Sequence, residues 1–202
     1  NTLLLAQLKG LRFVDSLQKI VRNGVQSSGV EVEGSDLALL DDPAIKNKLA
    51  AFLGKPLHRD DLPLISQTLL DWYRAHELPV VDVAFPEQDI TEGTVQAVVT
   101  VYKLGQVKVE GNKWFSSDSL RGEMQLKPGD PIDFSILKDD LNLLNRNPFR
   151  QVNAVLERST VPGDTDIALQ TQDELPLRIY ASYDNDGLPV TGRDQYSAGF
   201  NW

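Results

Sequence analysis

Two histidines, His58 and His76, are the only imidazoles in the chain, and no cysteine accompanies them. A thiolate metal site, a cysteine nucleophile and a disulfide framework are therefore excluded. His58 precedes a helical pattern and His76 ends it, a place where an imidazole interacts favourably with the helix dipole; both read as structural. The acidic pairs Asp41-Asp42, Asp60-Asp61 and Asp139-Asp140 could suggest acid–base work. A glycosidase, however, needs two carboxylates facing each other about 5–9 Å apart across a cleft. These pairs are adjacent in sequence and sit at helix starts or on a polar helix face, which reads as capping or solvent exposure. Asp184-Asn185-Asp186-Gly187 resembles the start of a calcium loop, but five residues after Gly187 stands Gly192, with no bidentate glutamate, so a tight turn is the better reading. None of the patterns HExxH, GxSxG, GxGxxG or a phosphate loop occurs. The expectation is a protein that is not an enzyme and has no metal, cofactor or nucleotide.

Charge narrows the partners. Twenty Lys and Arg face 29 Asp and Glu, a formal charge of -9, which disfavours a phosphate-binding face and hence nucleic acid. Trp72 and Tyr73 accordingly read as helix packing, not as a base-stacking platform. No apolar run approaches the roughly 18 residues of a membrane-spanning helix. The chain begins with Asn1, as expected of a processed or excised segment.

The elements that position these residues are legible from periodicity. In 135–159, Ile136, Leu137, Leu141 and Leu144 recur at a helical period, with Lys138, Asp139, Asp140 and Asn142 opposite. Asp133 or Ser135 can cap the start, and Asn145 with Asn147-Pro148 ends the helix. From Phe149 the period becomes two, so a strand follows at once. Upstream, 8–14 reads as a first strand, and 15–35 as a glycine-punctuated stretch with at most one helical turn at Leu17–Val21 and a short strand at Val30 and Val32. Asp42-Pro43 opens a helix with Ile45, Leu49, Phe52 and Leu53 on its face. A second helix runs from about Arg59 to Glu77, with Leu62, Ile65, Leu69, Trp72 and His76 on its stripe and Tyr73 on the flank. Strands follow at 80–85 and 94–104. The same order then recurs: strand 106–112, helix 117–124, the opening helix and strand, and a last strand at 164–174.

The fold class is thus α+β, two β-α-α-β-β units meeting near 103–106, each a small mixed three-stranded sheet covered by two helices. The units divide as an N-terminal segment 1–35 supplying the first strand and an insertion, then 36–104, then 105–176. A final hairpin, 177–202, alternates differently: Tyr180, Ser182 and Asp184 lie on one side, Ile179, Ala181 and Tyr183 on the other, and Tyr196, Ala198, Phe200 and Trp202 share a face.

Over residues 36–202 the sequence resembles the outer-membrane transporters of two-partner secretion, the exporters of haemolysins and filamentous haemagglutinins. The resemblance rests on a helix exit at Asn145, Pro148, Phe149 and Arg150, a strand entry at Gly163, Thr165 and Asp166, and a turn at Asp184, Asn185, Gly187, Thr191 and Gly192. Earlier, Tyr73, the turn Pro86, Gln88, Asp89, Ile90 and Gly93, and the strand-closing Gly111 fit the same pattern. His76-Glu77-Leu78 departs from it, since a glycine-tyrosine pair is common there.

The resemblance implies two polypeptide-transport-associated (POTRA) domains in the periplasm of a Gram-negative cell. They would be followed by the first hairpin of a truncated outer-membrane β-barrel. It further implies that these domains receive an unfolded exoprotein through its N-terminal secretion domain and feed it to the protein's own C-terminal barrel, without nucleotide hydrolysis. Candidate client contacts are Leu69, Tyr73, Val81 and Val83, in the groove between helix 60–77 and strand 80–85. Val107 and Val109 would mark a sheet edge in the second unit. Arg150 is either structural or a contact to client or barrel, and Phe149 is expected to bury against Leu141 and Leu144. The alternative reading is a chaperone-like scaffold for outer-membrane protein assembly, binding barrel precursors instead of a secreted client.

Overall fold

The computed structural model describes residues 2–185 and 194–202. The first domain contains β2 (Gly10–Val14), β3 (Gly29–Glu33), α1 (Pro43–Ala50), α2 (Asp61–Ala75), β5 (Val81–Ala84) and β6 (Thr94–Val101). It also contains a small ribbon of β1 (Leu3–Leu5) and β4 (Leu57–His58). Its main sheet is ordered β3-β2-β6-β5, with β2 parallel to both neighbours and β5 antiparallel to β6. Alternate residues Leu11, Phe13, Val95, Ala97 and Val99 point into one core with Ile45, Leu49, Ile65, Leu69 and Tyr73 from the helices.

This sheet has four strands where three were expected. The stretch 15–35 is not a detached insertion: Val30 and Val32 pair beside Leu11 and Phe13 and half-bury on the same core. Polar contacts hold the return. The fully buried Gln96 side chain accepts from the Val21 N–H (3.1 Å) and donates to the Val21 carbonyl (2.8 Å). The Ser27 N–H donates to Thr94 Oγ1 at 3.1 Å.

The second domain contains β7 (Lys103–Glu110), α3 (Ser117–Glu123), α4 (Phe134–Leu144), β8 (Arg150–Arg158) and β9 (Asp164–Asp173), with the sheet ordered β7-β9-β8. Each domain therefore places its last strand inside the sheet, β6 between β2 and β5 and β9 between β7 and β8. Side-chain caps start three helices: Asp42 accepts from the Ala44 N–H, Ser116 from Ser119, and Asp133 from Ser135 and Ile136. The face of α4 differs from its periodicity. Ile136 is 36% exposed, whereas Asp140, expected among the polar residues, is fully buried. Its carboxylate accepts the backbone N–H groups of Gln125 (2.8 Å) and Leu126 (3.1 Å), fixing the loop between the two helices.

One residue, Tyr102, separates β6 from β7. Across this joint Val80 packs on the second core, Lys103 pairs with Asp36 at 3.0 Å, and the Phe134 N–H donates to the Glu77 carbonyl at 2.8 Å. Glu77 is the one non-glycine residue of positive φ (61°) among those described. It follows α2 in the left-handed cap position, with the Leu78 N–H returning to the Tyr73 carbonyl at 3.0 Å. It lies within His76-Glu77-Leu78, where the resemblance expects a glycine-tyrosine pair. A β-carbon there costs about 1–2 kcal/mol, offset partly by the greater chain entropy of glycine. Glu77→Gly should therefore stabilise the first domain by about 1 kcal/mol, measured by urea unfolding; loss of stability would contradict the strain assigned to Glu77.

Candidate functional site

Leu69 and Tyr73 do not line a groove. Both are buried in the first core, because α2 turns them inward at i and i+4. Among the described residues the Tyr73 hydroxyl has no hydrogen-bond partner, and burial, then the charge of Asp36, pushes its pKa up. Val81 and Val83 also half-bury their side chains on that core, but their backbone faces away from the sheet. The Tyr102 N–H donates to the Val80 carbonyl (3.0 Å), so with Asp82 opposite Thr100 and Ala84 opposite Val98 the even-numbered groups of β5 face β6. The odd-numbered groups, at Val81 and Val83, face outward. No hydrogen bond among the described residues engages them on that side.

The edge expected in the second domain is largely occupied. On β7, Leu104 already accepts from the Gly129 N–H (2.7 Å) and donates to the Asp130 carbonyl (2.8 Å). Arg121 covers the Val107 carbonyl at 3.2 Å. Val107 itself is buried and Val109 packs on the core.

The opposite edge, β8, is open. The Glu174 N–H donates to the Phe149 carbonyl at 2.8 Å, which sets the odd-numbered residues of β8 facing β9 and leaves Val152, Ala154, Leu156 and Arg158 facing out. Arg150 faces the same way, its N–H on the Asn147 carbonyl at 3.3 Å; of the other four, Val152 alone is engaged by described residues, the Asn145 carboxamide accepting from its N–H (2.7 Å) and donating to its carbonyl (2.8 Å). Beyond Arg158, a crevice of about 670 Å³ lies at the domain joint, lined by Val80, Tyr102, Leu156, Val161 and Pro162 among others.

Arg150 lies inside the second domain. It is buried, donates from Nε to the Leu144 carbonyl at 2.6 Å, grips both oxygens of Glu123, and stacks on Phe115. Phe149 departs from expectation: it is half-buried outside the second core, its ring under the guanidinium of Arg178 at 5.2 Å. Pro148 is exposed, and Asn147 Oδ1 bridges it to accept the Phe149 N–H at 3.0 Å.

The remaining motif residues complete backbone pairing. Gln88 continues the β5 ladder past Ala84, its carboxamide accepting from the Gln96 N–H (2.8 Å) and donating to the Gln96 carbonyl (2.6 Å). Asp89 accepts from the Thr91 N–H at 2.9 Å, and the Gly93 carbonyl accepts from Lys9 at 2.7 Å. Gly111 has φ 79°, and a β-carbon there would strike the Thr171 carbonyl oxygen. The Gly163 carbonyl receives the Lys103 N–H at 3.2 Å. Asp166 fills a bulge in β7, taking the Gln106 N–H (3.0 Å) and Lys108 (3.2 Å). Asp184 ends a strand and Asn185 follows it, whereas Gly187, Thr191 and Gly192 lie outside the described residues.

Sequence reasoning missed Asp173. Its carboxylate gathers three successive N–H groups, of Lys113, Trp114 and Phe115, each at 2.9 Å. Those donors stand about 60 residues away in the chain, beyond the reach of periodicity. Both histidines make local contacts: His76 Nδ1 is 2.8 Å from the Trp72 carbonyl with the rings 4.4 Å apart, and His58 is 3.5 Å from Asp61. No cluster of metal-ligating side chains occurs among the described residues.

After the second domain, β10 (Arg178–Asp184) and β11 (Gln195–Asn201) pair antiparallel. The register joins Ile179 to Phe200, Ala181 to Ala198 and Tyr183 to Tyr196 on one face, and Tyr180 to Gly199 and Ser182 to Ser197 on the other. The first face is bare, with Ile179 77% and Phe200 71% exposed.

Residues 25–101 match the family described as "POTRA domain, ShlB-type", and residues 102–171 match a POTRA family described as "Surface antigen variable number repeat". The heme/hemopexin transporter protein HuxB of Haemophilus influenzae is 27% identical over 155 residues, covering 75% of this chain and 27% of HuxB. The outer membrane transporter CdiB-2 of Burkholderia pseudomallei is 23% identical over 147 residues, covering 73% of this chain and 25% of CdiB-2. The chain thus spans about a quarter of the length of the curated relatives it matches. Among solved structures, CdiB from Escherichia coli shares the fold with a TM-score of 0.67 at 16% identity, over 96% of this chain and 32% of that one.

Two carboxylates of the second domain carry a pH signature. Burial alone would raise the pKa of Asp173 and Asp166. In Asp173 the Phe115, Trp114 and Lys113 N–H groups outweigh it, and in Asp166 the Gln106 N–H, the Ser159 hydroxyl and Lys108 do so; both end below the ordinary value. Groups depressed on folding stabilise above the unfolded pKa, near 4, and lose that contribution as pH falls through the lower folded value. Chemical denaturation from pH 6 down to pH 2 should show wild-type stability falling through that window. The decline should be shallower in Asp173→Asn; equal slopes would contradict the assignment.

Proposed function

We propose that this chain, a member of the outer-membrane transporters of two-partner secretion carrying two of their POTRA domains in tandem, receives an unfolded exoprotein in the periplasm and passes it towards an outer-membrane pore. The family is one of transporters, not enzymes. The observation that carries the proposal is the pair of open strand edges, Val81 and Val83 on β5 and Ala154 to Arg158 on β8. Each lies on the strand before the last of its sheet and runs beside the second helix of its domain. An extended client can pair its own N–H and C=O groups with such an edge, a mode that reads backbone and tolerates varied side chains.

The two edges run head to tail through the joint. β8 ends at Arg158 beside the crevice, and Val80, just before β5, lines it from the other domain. The N-terminal secretion domain of the exoprotein would be captured here. The hairpin then continues the path: its bare apolar face would meet lipid and its polar face the lumen of the protein's own β-barrel. Phe149 under Arg178 supports this exit from the second domain.

Proline at an outward-facing position removes an edge donor without breaking the internal ladder. Val83→Pro and Leu156→Pro should each weaken binding of the unfolded secretion domain about tenfold or more, near 1.4 kcal/mol, with the circular dichroism of the chain unchanged. Unchanged affinity in both would contradict edge capture. In the full-length protein, a lysine at Ile179 should cost about 2–4 kcal/mol if it faces the bilayer midplane. Ser182→Lys should be tolerated, read as the heat-modifiable folded fraction on gels; the reverse ranking would overturn the assignment of the two faces.

A further inference from the structure

Resting on the reading that β8 accepts a client strand, we propose that Asn145 is the register stop of that edge. Five residues of β8 face outward; the Arg150 N–H is held by the Asn147 carbonyl at 3.3 Å, and Asn145 already satisfies both groups at the next, Val152, at 2.7 and 2.8 Å. A carboxamide has the same donor and acceptor as a peptide unit, so its side chain stands where the incoming backbone would otherwise continue. The free run therefore starts at Ala154 and ends at Arg158.

The stop is rigidly placed. Asn145 follows α4 with its own N–H on the Leu141 carbonyl at 2.9 Å. The next turn is fixed by Asn147 on the Phe149 N–H and by the buried Arg150 on the Leu144 carbonyl. Displacing the carboxamide would require the client to break two hydrogen bonds and disturb a helix end clamped on both sides. Addition of an extended chain at Ala154, Leu156 and Arg158 requires neither. The stop thus limits the captured segment to the five β8 residues from Ala154 to Arg158 and directs the rest of the client towards the crevice at the domain joint. Asn145 acts here as a positioning residue.

The absence of cysteine permits a direct test. A peptide of alternating valine and threonine is tethered by a disulfide to a single cysteine at the exposed Thr160, which raises its effective concentration at the β8 edge. Amide hydrogen exchange and the Asn145 side-chain amide signals are then followed by NMR. In the parent chain the tethered strand should slow exchange at Ala154, Leu156 and Arg158 about tenfold or more and leave the Asn145 Nδ2 protons hydrogen-bonded. In Asn145→Ala, Val152 should exchange faster than in the parent chain when untethered, and should join the protected set when the peptide is attached. Asn145→Asp retains the acceptor for the Val152 N–H, and should keep that amide slow without the peptide. Protection that reaches Val152 in the parent with release of the Asn145 amide would overturn the stop while leaving β8 as the acceptor. No protection anywhere on β8 would overturn the acceptor reading and the stop with it.

Discussion

Leaving a buried backbone N–H or C=O unpaired costs about 1–3 kcal/mol, and sheets of four and three strands have more edge than interior. How this chain disposes of its edges decides both its architecture and its use. β3 covers β2; Gly129, Asp130 and Arg121 cover much of β7; side-chain carboxamides finish the ladders at Gln96 and Val152. Among the described residues β3, the other edge of the first sheet, also keeps an open outer side; the open edges that run beside the second helix of each domain are β5 and β8. Edges left open in small soluble sheets are a liability for aggregation. A role in which another chain must pair with them turns that liability into a binding surface.

Side chains that imitate peptide units recur here because they solve a local problem. A strand that must end while its neighbour continues leaves one pair of backbone groups stranded, and an Asn or Gln of suitable reach supplies both a donor and an acceptor. Gln88, Gln96 and Asn145 each do this with two hydrogen bonds to one residue. Asp140 and Asp173 solve a related problem for loops, accepting two or three N–H groups that no strand reaches. Motif residues that look like candidates for function from their type are thus mostly fasteners. The surface proposed for the client is the backbone between them.

Local periodicity made much of the fold legible. The helix from Phe134, its Asp133 cap, the exit at Asn145 and the strand from Arg150 follow from residues within one turn of each other. So does the two-faced hairpin, where alternation alone separated Ile179 from Tyr180. What escaped depended on partners distant in sequence. The strand at Val30 and Val32 was expected but not its place in the first sheet, which is held by Gln96 to Val21, 75 residues apart. Asp140 reads as polar until the loop amides it accepts are seen, and Tyr73 reads as a flank although the core takes it whole. At the candidate site the expectation was a groove beside β5 lined by Leu69 and Tyr73; both are buried in the core, and what stands open there is the backbone edge of the strand. In the second domain β7 looked as open as β8, because nothing in its sequence shows that Arg121 and the turn at Gly129 already occupy it.

The central claim is that an extended client lies along β5 and β8 and not along β7. Photocrosslinking in cells exporting the exoprotein tests it most directly, with benzoylphenylalanine introduced in turn at Asp82, at Val155 and at Lys108 in the full-length transporter. The account predicts adducts with the exoprotein from Asp82 and Val155 and few or none from Lys108. Adducts mainly from Lys108, with Asp82 and Val155 silent, would contradict it.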